Sequence, residues 1–174
     1  MPRLAQPRRF GYNPRMISVA ILTVSDRAAR GKYEDRSGPA LCAAVEKTGW
    51  QIIAHKIVPD SKAAIQKAIR AFVRQGCEVI LTTGGTGIAA RDVTPEAVRA
   101  IARCELPGFG EVIRAESLKI TSHALLSRAT AFVARKTLVV CLPGSSKGAV
   151  ECLGFIATAI PHAIELLQEK PTRH

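Results

Sequence analysis

Short apolar runs rich in β-branched residues alternate along the chain with longer segments that carry helix signals. Such runs are typical of strands in a parallel sheet covered by helices on both faces. We predict four strands, at 17–24, 51–58, 78–83 and 137–142.

Helical spacing of apolar residues and capping residues place helices between these strands. We predict helices at 39–47, 63–75, 95–103, about 111–120, and from the loop after Leu142 through Leu167. The predicted N-caps are Ser37, Asp60 or Ser61, and Thr94, while Gly49 and Gly76 end the first two helices. The alternation predicts α/β as the fold class: a single three-layer α/β/α domain with a mostly parallel central sheet.

Ligands of such sheets bind at loops beyond the carboxyl ends of the strands. That rule selects the loops after Val24, Val58, Thr83 and Leu142. The four loops contain the polar and glycine-rich residues SDR, PDS, GGTGIAARDVTP and PGSSKG. Because these residues are expected at one edge of the sheet, they predict a functional site there.

The charge of the chain indicates either an anionic partner or a solvated surface with a basic tail. The 174 residues carry 25 Lys+Arg against 14 Asp+Glu, a formal net charge of +11. The first sixteen residues hold four Arg and no acid, so we expect residues 1–15 to be a flexible basic leader and 16–174 to form the domain. An upstream start codon, with Met16 opening the folded part, is the alternative. No apolar run approaches the ~18 residues of a membrane helix, which predicts no membrane partner.

The five cysteines have no CxxC spacing, and their number is odd. Free cysteines in apolar surroundings indicate a reducing compartment, so we predict a cytoplasmic protein. The histidines His55, His123 and His162 lie far apart without metal-ligand spacing, which argues against zinc.

The segment 81–96, LTTGGTGIAARDVTPE, is the strongest local motif. Gly84, Gly85 and Gly87 permit positive φ angles, and consecutive N–H groups of such a loop form an anion nest. Thr82, Thr83 and Thr86 add hydroxyl donors. The motif lacks the Gly-Lys-Ser/Thr of a Walker A loop and the spacing of a dinucleotide loop. A tight turn that needs glycine is the alternative explanation.

Two aspartates follow different predicted strands. A carboxylate beside a phosphate nest requires a cation between them, and Mg²⁺ typically binds one or two carboxylates together with substrate phosphates. Asp92 and Asp60 are the candidate ligands. Alternatively, Asp92 caps a short turn before Thr94, and Asp60 caps the following helix.

The remaining charged residues leave alternatives open. Phosphate-gathering candidates in the first loop are Arg27, Arg30, Lys32 and Arg36, which a solvated loop would also explain. Lys147, in the loop after Leu142, is a further cation, and a plain turn explains that loop equally well. Arg114, Ser117 and Lys119 fit an ordinary amphipathic helix. No nucleophile–base pair stands out, which favours phosphoryl or nucleotidyl transfer.

Six motifs follow one another along the chain: ILTVSDRAARGKYEDRSGPAL, VPD, LTTGGTGIAARDVTPEA, PGFGEVIRAESLK, LLSR and LPGSSKGAVECL. From Met16 onward the chain resembles the molybdopterin adenylyltransferase family, the Mog-like branch of the MoaB/Mog superfamily that includes the gephyrin G domain. At Ile88 it departs from both branches, since the adenylyltransferases often have Pro there and the MoaB branch has Leu.

The resemblance implies an enzyme of molybdenum cofactor biosynthesis that transfers AMP from Mg-ATP to the terminal phosphate of molybdopterin and releases pyrophosphate. It implies ATP and molybdopterin as substrates, Mg²⁺ as cofactor, a homotrimer, and a Moe-type partner that inserts molybdate. A non-catalytic MoaB-like molybdopterin-binding or scaffold protein is the alternative. Charge-driven nucleic-acid binding is disfavoured, because aromatic residues are only 5% and no reading motif is present.

Site roles are also implied by the resemblance. Asp60 and Asp92 correspond to the catalytic, Mg²⁺-binding acids. The nucleotide and phosphate positions are Thr83, Gly84, Gly85, Thr86, Gly87, Pro143, Gly144 and Ser145. The molybdopterin positions are Ser25, Asp26, Arg114, Ser117 and Ser127.

Overall fold

A computed structural model describes residues 16–169 and shows one six-stranded sheet flanked by helices. The strands are β1 Ser18–Val24, β2 Gln51–Val58, β3 Val79–Thr83, β4 Cys104–Leu106, β5 Thr130–Ala134 and β6 Thr137–Leu142. The helices are α1 Asp26–Ala29, α2 Ser37–Lys47, α3 Lys62–Arg74, α4 Thr94–Arg99, α5 Pro107–Leu118, α6 Ser146–Ile156 and α7 Ile160–Leu167. The predicted leader, 1–15, and the last five residues of the predicted domain lie outside the described residues.

The sheet order is β2-β1-β3-β6-β5-β4, and β1, β2, β3 and β6 run parallel. Side chains of the central strands alternate between two cores, as the pleat requires. Val19 and Ile21 pack toward α2, α6 and α7, whereas Ala20 and Leu22 pack toward α3 and α4. Helices therefore cover both faces, and the predicted three-layer α/β/α fold with a mostly parallel sheet is confirmed.

The sequence prediction omitted β4 and β5, which pair antiparallel at one edge of the sheet. The predicted helix 95–103 was too long, since α4 ends at Arg99 and the chain then enters β4. The helix predicted at about 111–120 instead begins at Pro107 and ends at Leu118. A strand of three residues is too short for a periodic pattern, and pairing with β5 stabilises β4.

Several predicted helix caps are replaced by other contacts. Ser37 is not the N-cap of α2 but its first residue, and the Asp35 carboxylate accepts from its hydroxyl and from Gly38 N–H. Thr94 does not cap α4, because its hydroxyl donates to the carbonyl of Gly84 at 2.8 Å. The hydroxyls that the local pattern assigned to helix N-caps thus form hydrogen bonds with other residues.

The long C-terminal helix is divided. Between α6 and α7, residues Ala157–Ala159 form a 3₁₀ turn, and Pro161 lies in the first turn of α7. Contrary to the sequence expectation, Ser146–Leu167 is long and apolar enough, by length and composition, for a candidate membrane span. However, Leu153, Ile156 and Ile160 belong to the buried core, and core helices pass the same compositional test.

Parallel strands bring their carboxyl ends to one edge. Thr23 of β1 lies in register with Thr83 of β3, and Thr83 lies in register with Leu142 of β6. Val24 pairs with Val58 on the other side. The four loops selected from the sequence therefore leave the sheet side by side.

Candidate active site

A cavity of about 680 Å³ lies at the carboxyl ends of β1, β3 and β6. It brings together nine of the predicted site residues: Ser25, Asp26, Asp60, Thr83, Gly84, Gly85, Asp92, Gly144 and Ser145. Thr86, Gly87 and Pro143 belong to the same loops but do not line the cavity. The sheet topology thus assembles a mixed site of carboxylates, glycines and hydroxyls.

Hydrogen bonds hold the loop after β3 against the end of β6 and the loop after it. The N–H of Gly84 donates to the carbonyl of Leu142 at 3.2 Å, and the Thr83 hydroxyl donates to the carbonyl of Pro143 at 2.8 Å. A side chain at Gly144 would come within 3.3 Å of the Cα of Gly84. Glycine at both positions therefore permits a close approach of the two backbones.

The glycine loop differs in detail from the predicted nest. Gly84 and Gly85 have φ of +102° and +66°, but Gly87 is not in the left-handed region. The Gly84 N–H and the hydroxyls of Thr83 and Thr86 donate to carbonyls at the end of β6 and in the loop after it, so they brace the loop. Within residues 16–169, the N–H groups of Gly85, Thr86 and Gly87 donate to no protein acceptor. Of these three residues only Gly85 lines the cavity, so its amide is the loop donor left for an anion there.

The beginning of α6 supplies further donors at the same edge. Ser145 is its N-cap, and the Ser145 hydroxyl accepts from the N–H of Gly148 at 3.1 Å. The N-terminus of an eleven-residue helix carries partial positive charge and favours phosphate groups. Both glycine-containing loops can therefore contact phosphates from adjacent sides.

Asp60 is tied to Asp26 and not to the helix that follows it. The Asp26 N–H donates to Asp60 Oδ2 at 2.7 Å, and the Asp60 N–H donates to Asp26 Oδ1 at 3.2 Å. Ser61, the other candidate, occupies the N-cap position of α3 without a side-chain bond. The reciprocal pair joins the loops after β1 and β2 and holds two carboxylates at the cavity.

Asp92 likewise does not cap the helix after it. Its Oδ2 accepts from the N–H of Ala89 at 2.9 Å, and its own N–H donates to the carbonyl of Ala89 at 2.8 Å. The N-cap of α4 is Val93, which has no side-chain capping bond. Asp92 therefore closes the tip of the loop after β3 and is one of the residues that line the cavity.

The two carboxylates Asp60 and Asp92 suit Mg²⁺ better than a metal that needs a complete set of protein ligands. Within residues 16–169, no group of three or more His, Cys, Asp or Glu side chains could hold a metal ion alone. Mg²⁺ is usually bound by one or two carboxylates with the rest of its shell supplied by substrate phosphates and water. The carboxylates of Asp60 and Asp92 beside the free amide of Gly85 match that requirement.

A polar cluster around Asp35, which the sequence prediction did not assign to the site, lies against the cavity. Asp35 Oδ2 accepts from the Thr23 hydroxyl at 2.7 Å and lies 3.2 Å from Nε2 of His55. Burial favours a raised pKa for this carboxyl, but hydrogen bonds from Gly38, Thr23 and Ser37 and the charge of His55 lower its pKa overall. The only sequence signal for Asp35 is its position in the YEDRSG motif, which follows β1 and α1.

Cations at the cavity come mainly from the loop after β1. Arg27 and Arg36 line it, as does Arg91 of the loop after β3. Arg27 lies over the ring of Tyr33, 5.1 Å from its centroid. Arg30 and Lys32, predicted with them, do not line the cavity. Lys147 also lies outside, 3.8 Å from Glu151.

Three predicted molybdopterin positions lie outside the cavity lining. Arg114 donates to the carbonyl of Ala129 at 2.9 Å, and the Ser117 hydroxyl lies 3.8 Å from the sulfur of Cys152. Ser127 accepts from the N–H of Ala129 at 3.3 Å. Arg114 and Ser117 lie on α5, and Ser127 lies in the segment between α5 and β5.

The cysteines are all free, and the buried ones are poor nucleophiles. Burial raises the pKa of Cys141 to about 12 and that of Cys77 to about 11. Burial also raises the pKa of Cys152. Because the thiolate is the reactive form, these groups are unsuited to covalent catalysis.

Comparisons with known proteins show a family model and curated relatives whose names refer to molybdopterin. Residues 20–162 match a family described as a probable molybdopterin-binding domain. A molybdopterin adenylyltransferase of Helicobacter pylori strain J99 is 40% identical over 154 residues, covering 87% of this chain and 88% of the relative.

Solved structures agree with the sequence comparison. The molybdopterin biosynthesis enzyme MoaB of Thermus thermophilus is 42% identical, with a TM-score of 0.84 over 91% of this chain and 100% of that one. The tungsten cofactor synthesizing protein MoaB of Pyrococcus furiosus is 35% identical, with a TM-score of 0.82 over 89% of this chain and 99% of that one.

Proposed function

The chain belongs to the molybdopterin-binding domain family, and from this premise we propose that it is a molybdopterin adenylyltransferase. Its substrates are ATP and molybdopterin, and its place is in molybdenum cofactor biosynthesis. The observation that carries the proposal is the meeting of Asp60 and Asp92 with two phosphate-type loops at one cavity. A site that only held an anion would gain little from carboxylates beside it.

The reaction is a nucleotidyl transfer. An oxygen of the terminal phosphate of molybdopterin attacks the α-phosphorus of ATP, a new P–O bond forms, and the bond to pyrophosphate breaks. The attacking phosphate is already anionic, so the protein need not supply a nucleophile. Catalysis of this kind depends on positioning and on charge stabilisation.

The protein's part is to hold the phosphates in place. The amide of Gly85 and the first turn of α6 donate to the ATP phosphates. Asp60 and Asp92 would hold Mg²⁺, with Asp60 held in turn by the N–H of Asp26. Mg²⁺, when bound, would supply Lewis-acid neutralisation of charge on the phosphates.

Further parts of the proposal concern the pterin and the assembly. We assign Ser25 and Asp26 to the pterin side of the cavity, and Arg114, Ser117 and Ser127 to an extension of it. We also propose a homotrimer, in which exposed apolar side chains of α5 and the segment after it would meet a second subunit. These side chains are Val112, Leu118, Ile120, Leu125 and Leu126. A cytoplasmic location agrees with five free cysteines. A Moe-type protein would receive the product.

An adenylylation assay tests the function directly. The purified protein is incubated with molybdopterin, ATP and Mg²⁺, and pyrophosphate release is measured. We expect release by the unaltered protein and a loss of at least about 100-fold in Asp92→Asn, which keeps the shape but not the charge. Molybdopterin binding should remain in that variant.

The matched control is Glu165→Gln, an exposed acid on α7 near His162 and outside the cavity. Its pyrophosphate release should equal that of the unaltered protein. Molybdopterin binding without pyrophosphate release by the unaltered protein would instead support the non-catalytic, MoaB-like binding function. Full activity of Asp92→Asn would refute the assigned role of Asp92.

A further inference from the structure

The loop that carries Asp92 has little internal support. It leaves β3 at the glycines and returns at Asp92, and Ile88, Ala89 and Ala90 at its tip are exposed. Its two bonds at the tip join Ala89 to Asp92 and fix the shape of the turn only. Thr94, the first residue of α4, closes the base of the loop by donating its N–H to the carbonyl of Gly85 at 3.0 Å and its hydroxyl to the carbonyl of Gly84 at 2.8 Å. The segment beyond this base depends on contacts with other parts of the fold.

One residue outside the loop contacts both of its ends. Arg128 Nε donates to the carbonyl of Gly87 at 2.7 Å, and Arg128 Nη2 donates to the carbonyl of Asp92 at 2.6 Å. The backbone N–H of Arg128 also donates to the carbonyl of Thr86 at 2.9 Å. Arg128 lies between α5 and β5, so these bonds connect the loop to a separate part of the fold.

The guanidinium of Arg128 is itself oriented. Its Nη1 forms an ion pair with Glu96, which lies in the first turn of α4 directly after the loop. About a third of each side chain is exposed, since both have 35% relative accessibility. A planar guanidinium can donate in several fixed directions at once, whereas a lysine ammonium on a flexible stem cannot hold the same three acceptors in one plane.

We propose that Arg128 is a positioning residue for the adenylyl transfer, which holds the Asp92 carboxylate at the working distance from Asp60 and the glycine loop. Arg128 does not line the cavity, so it acts through the loop and not through the substrates. The catalytic part of this inference rests on the proposed function. The contacts of Arg128 with the loop and with Glu96, which we call the Arg128 clamp, are a property of the protein alone.

The test compares Arg128→Lys and Arg128→Ala with the matched variant Arg99→Lys. Arg99 is on α4, pairs with Glu105 through Nε and Nη2, and has no bond to the loop. We measure pyrophosphate release against Mg²⁺ concentration, molybdopterin affinity, and amide hydrogen exchange of residues 86–92.

In Arg128→Lys we expect the Mg²⁺ concentration for half-maximal activity to rise about 10–100-fold, as for other residues that orient metal ligands. Amide exchange at Ala89 and Asp92 should accelerate, while molybdopterin affinity stays the same. Added guanidinium should restore part of the activity of Arg128→Ala. Arg99→Lys should change none of these quantities.

Unchanged Mg²⁺ dependence and unchanged exchange in Arg128→Lys would overturn the proposal, and so would a parallel loss of molybdopterin affinity, which indicates general disruption. If Arg128→Ala does not fold, Arg128→Lys carries the test. If the unaltered protein releases no pyrophosphate, the proposed function fails, whereas accelerated loop exchange in Arg128→Lys but not in Arg99→Lys would still support the Arg128 clamp.

Discussion

Each end of the sheet carries a cavity, and the two cavities differ in volume and in the charged residues that line them. The cavity at the carboxyl ends has about 680 Å³, and the one at the amino ends of β3 and β6 is larger, about 930 Å³. The larger cavity is lined by four cations, Arg74, Arg103, Arg135 and Lys136. It has a single carboxylate in its lining, that of Glu169.

Helix direction explains the difference. The C-termini of α3 and α7 face the amino-end cavity, and Arg74 lies in the last turn of α3, where a cation balances the exposed carbonyls. At the carboxyl end, α6 presents its N-terminus and the glycine loop presents the free amide of Gly85. The two ends are therefore distinguished by backbone donors beside carboxylates, and not by cavity volume or positive charge. These donors are the reason that we propose the phosphate site at the carboxyl end.

The largest expected difference between the two ends involves a pair of glycines. Gly84 has φ +102°, and a side chain there would collide with the carbonyl of Val24. Gly76, at the amino end, has φ +78°, and a methyl group added there would meet no atom within 4 Å. We expect Gly84→Ala to lose at least about 100-fold in pyrophosphate release, since one misplaced ångström costs about that much.

Gly76→Ala serves as the control for backbone strain. It should lower the free energy of unfolding by about 1–2 kcal/mol, the cost of a left-handed alanine. Its pyrophosphate release at 25 °C should be unaffected. Equal loss of activity in the two variants would abolish the distinction between the ends. Urea unfolding and the adenylylation assay measure the two quantities.

Substitution of Asp35 is expected to change the free energy of unfolding, with an effect of intermediate size. In Asp35→Asn, the loss of charge-assisted bonds to Gly38 and Thr23 should reduce the free energy of unfolding at pH 7 by about 1.5–3 kcal/mol. The pKa of Asp35 is lower in the folded state than its ordinary value of 3.8. The stabilisation is therefore complete above pH 3.8 and disappears as the pH falls through the lowered pKa.

Urea unfolding of both proteins from pH 7 down to about pH 2 measures this dependence. At the amino end, Glu169 lies 3.8 Å from Lys136, and its side chain is 81% exposed. Glu169→Gln should therefore leave stability unchanged across the same pH range. A stability difference for Asp35→Asn that persisted in acid would exclude the carboxylate as its source.

The smallest expected effect concerns single exposed arginines. Arg91→Ala removes a cation from the carboxyl-end cavity and should raise the KM for ATP by about two- to fivefold, equivalent to about 0.5–1 kcal/mol. Arg135→Ala removes one from the amino-end cavity and should leave that KM unchanged. A rise for Arg135→Ala would mean that the overall charge, and not the local site, attracts ATP. Initial rates at low ionic strength measure both.

Local patterns predicted most of the sheet. The apolar runs located β1, β2, β3 and β6 to within one residue, because buried parallel strands are nearly continuous in apolar residues. The antiparallel strands β4 and β5 were not predicted. The three residues of β4 carry no period of their own, and the short apolar run of β5 was not recognised as a strand. The apolar runs of the parallel strands placed the loops that bear Asp60 and Asp92 at one edge of the sheet.

The detailed hydrogen bonding of the site could not be predicted in this way. Local reasoning assigned Thr94 to a helix cap, yet its hydroxyl donates to Gly84, ten residues earlier. It considered His55 only as a metal ligand and argued against that role, yet the ring lies beside Asp35, twenty residues earlier. Partners so distant in sequence become neighbours only when the strands are paired.

By itself, the sequence determined the fold class, the strands that supply the loops, and the glycines and acids available to them. These follow from short-range physics: apolar runs must be buried, and glycine accepts backbone angles that other residues avoid. Only the tertiary structure decided which donors remain free, because most buried polar groups find partners that are distant in sequence. It paired Asp60 with Asp26, left the Gly85 amide free, and brought Arg128 to the loop of Asp92.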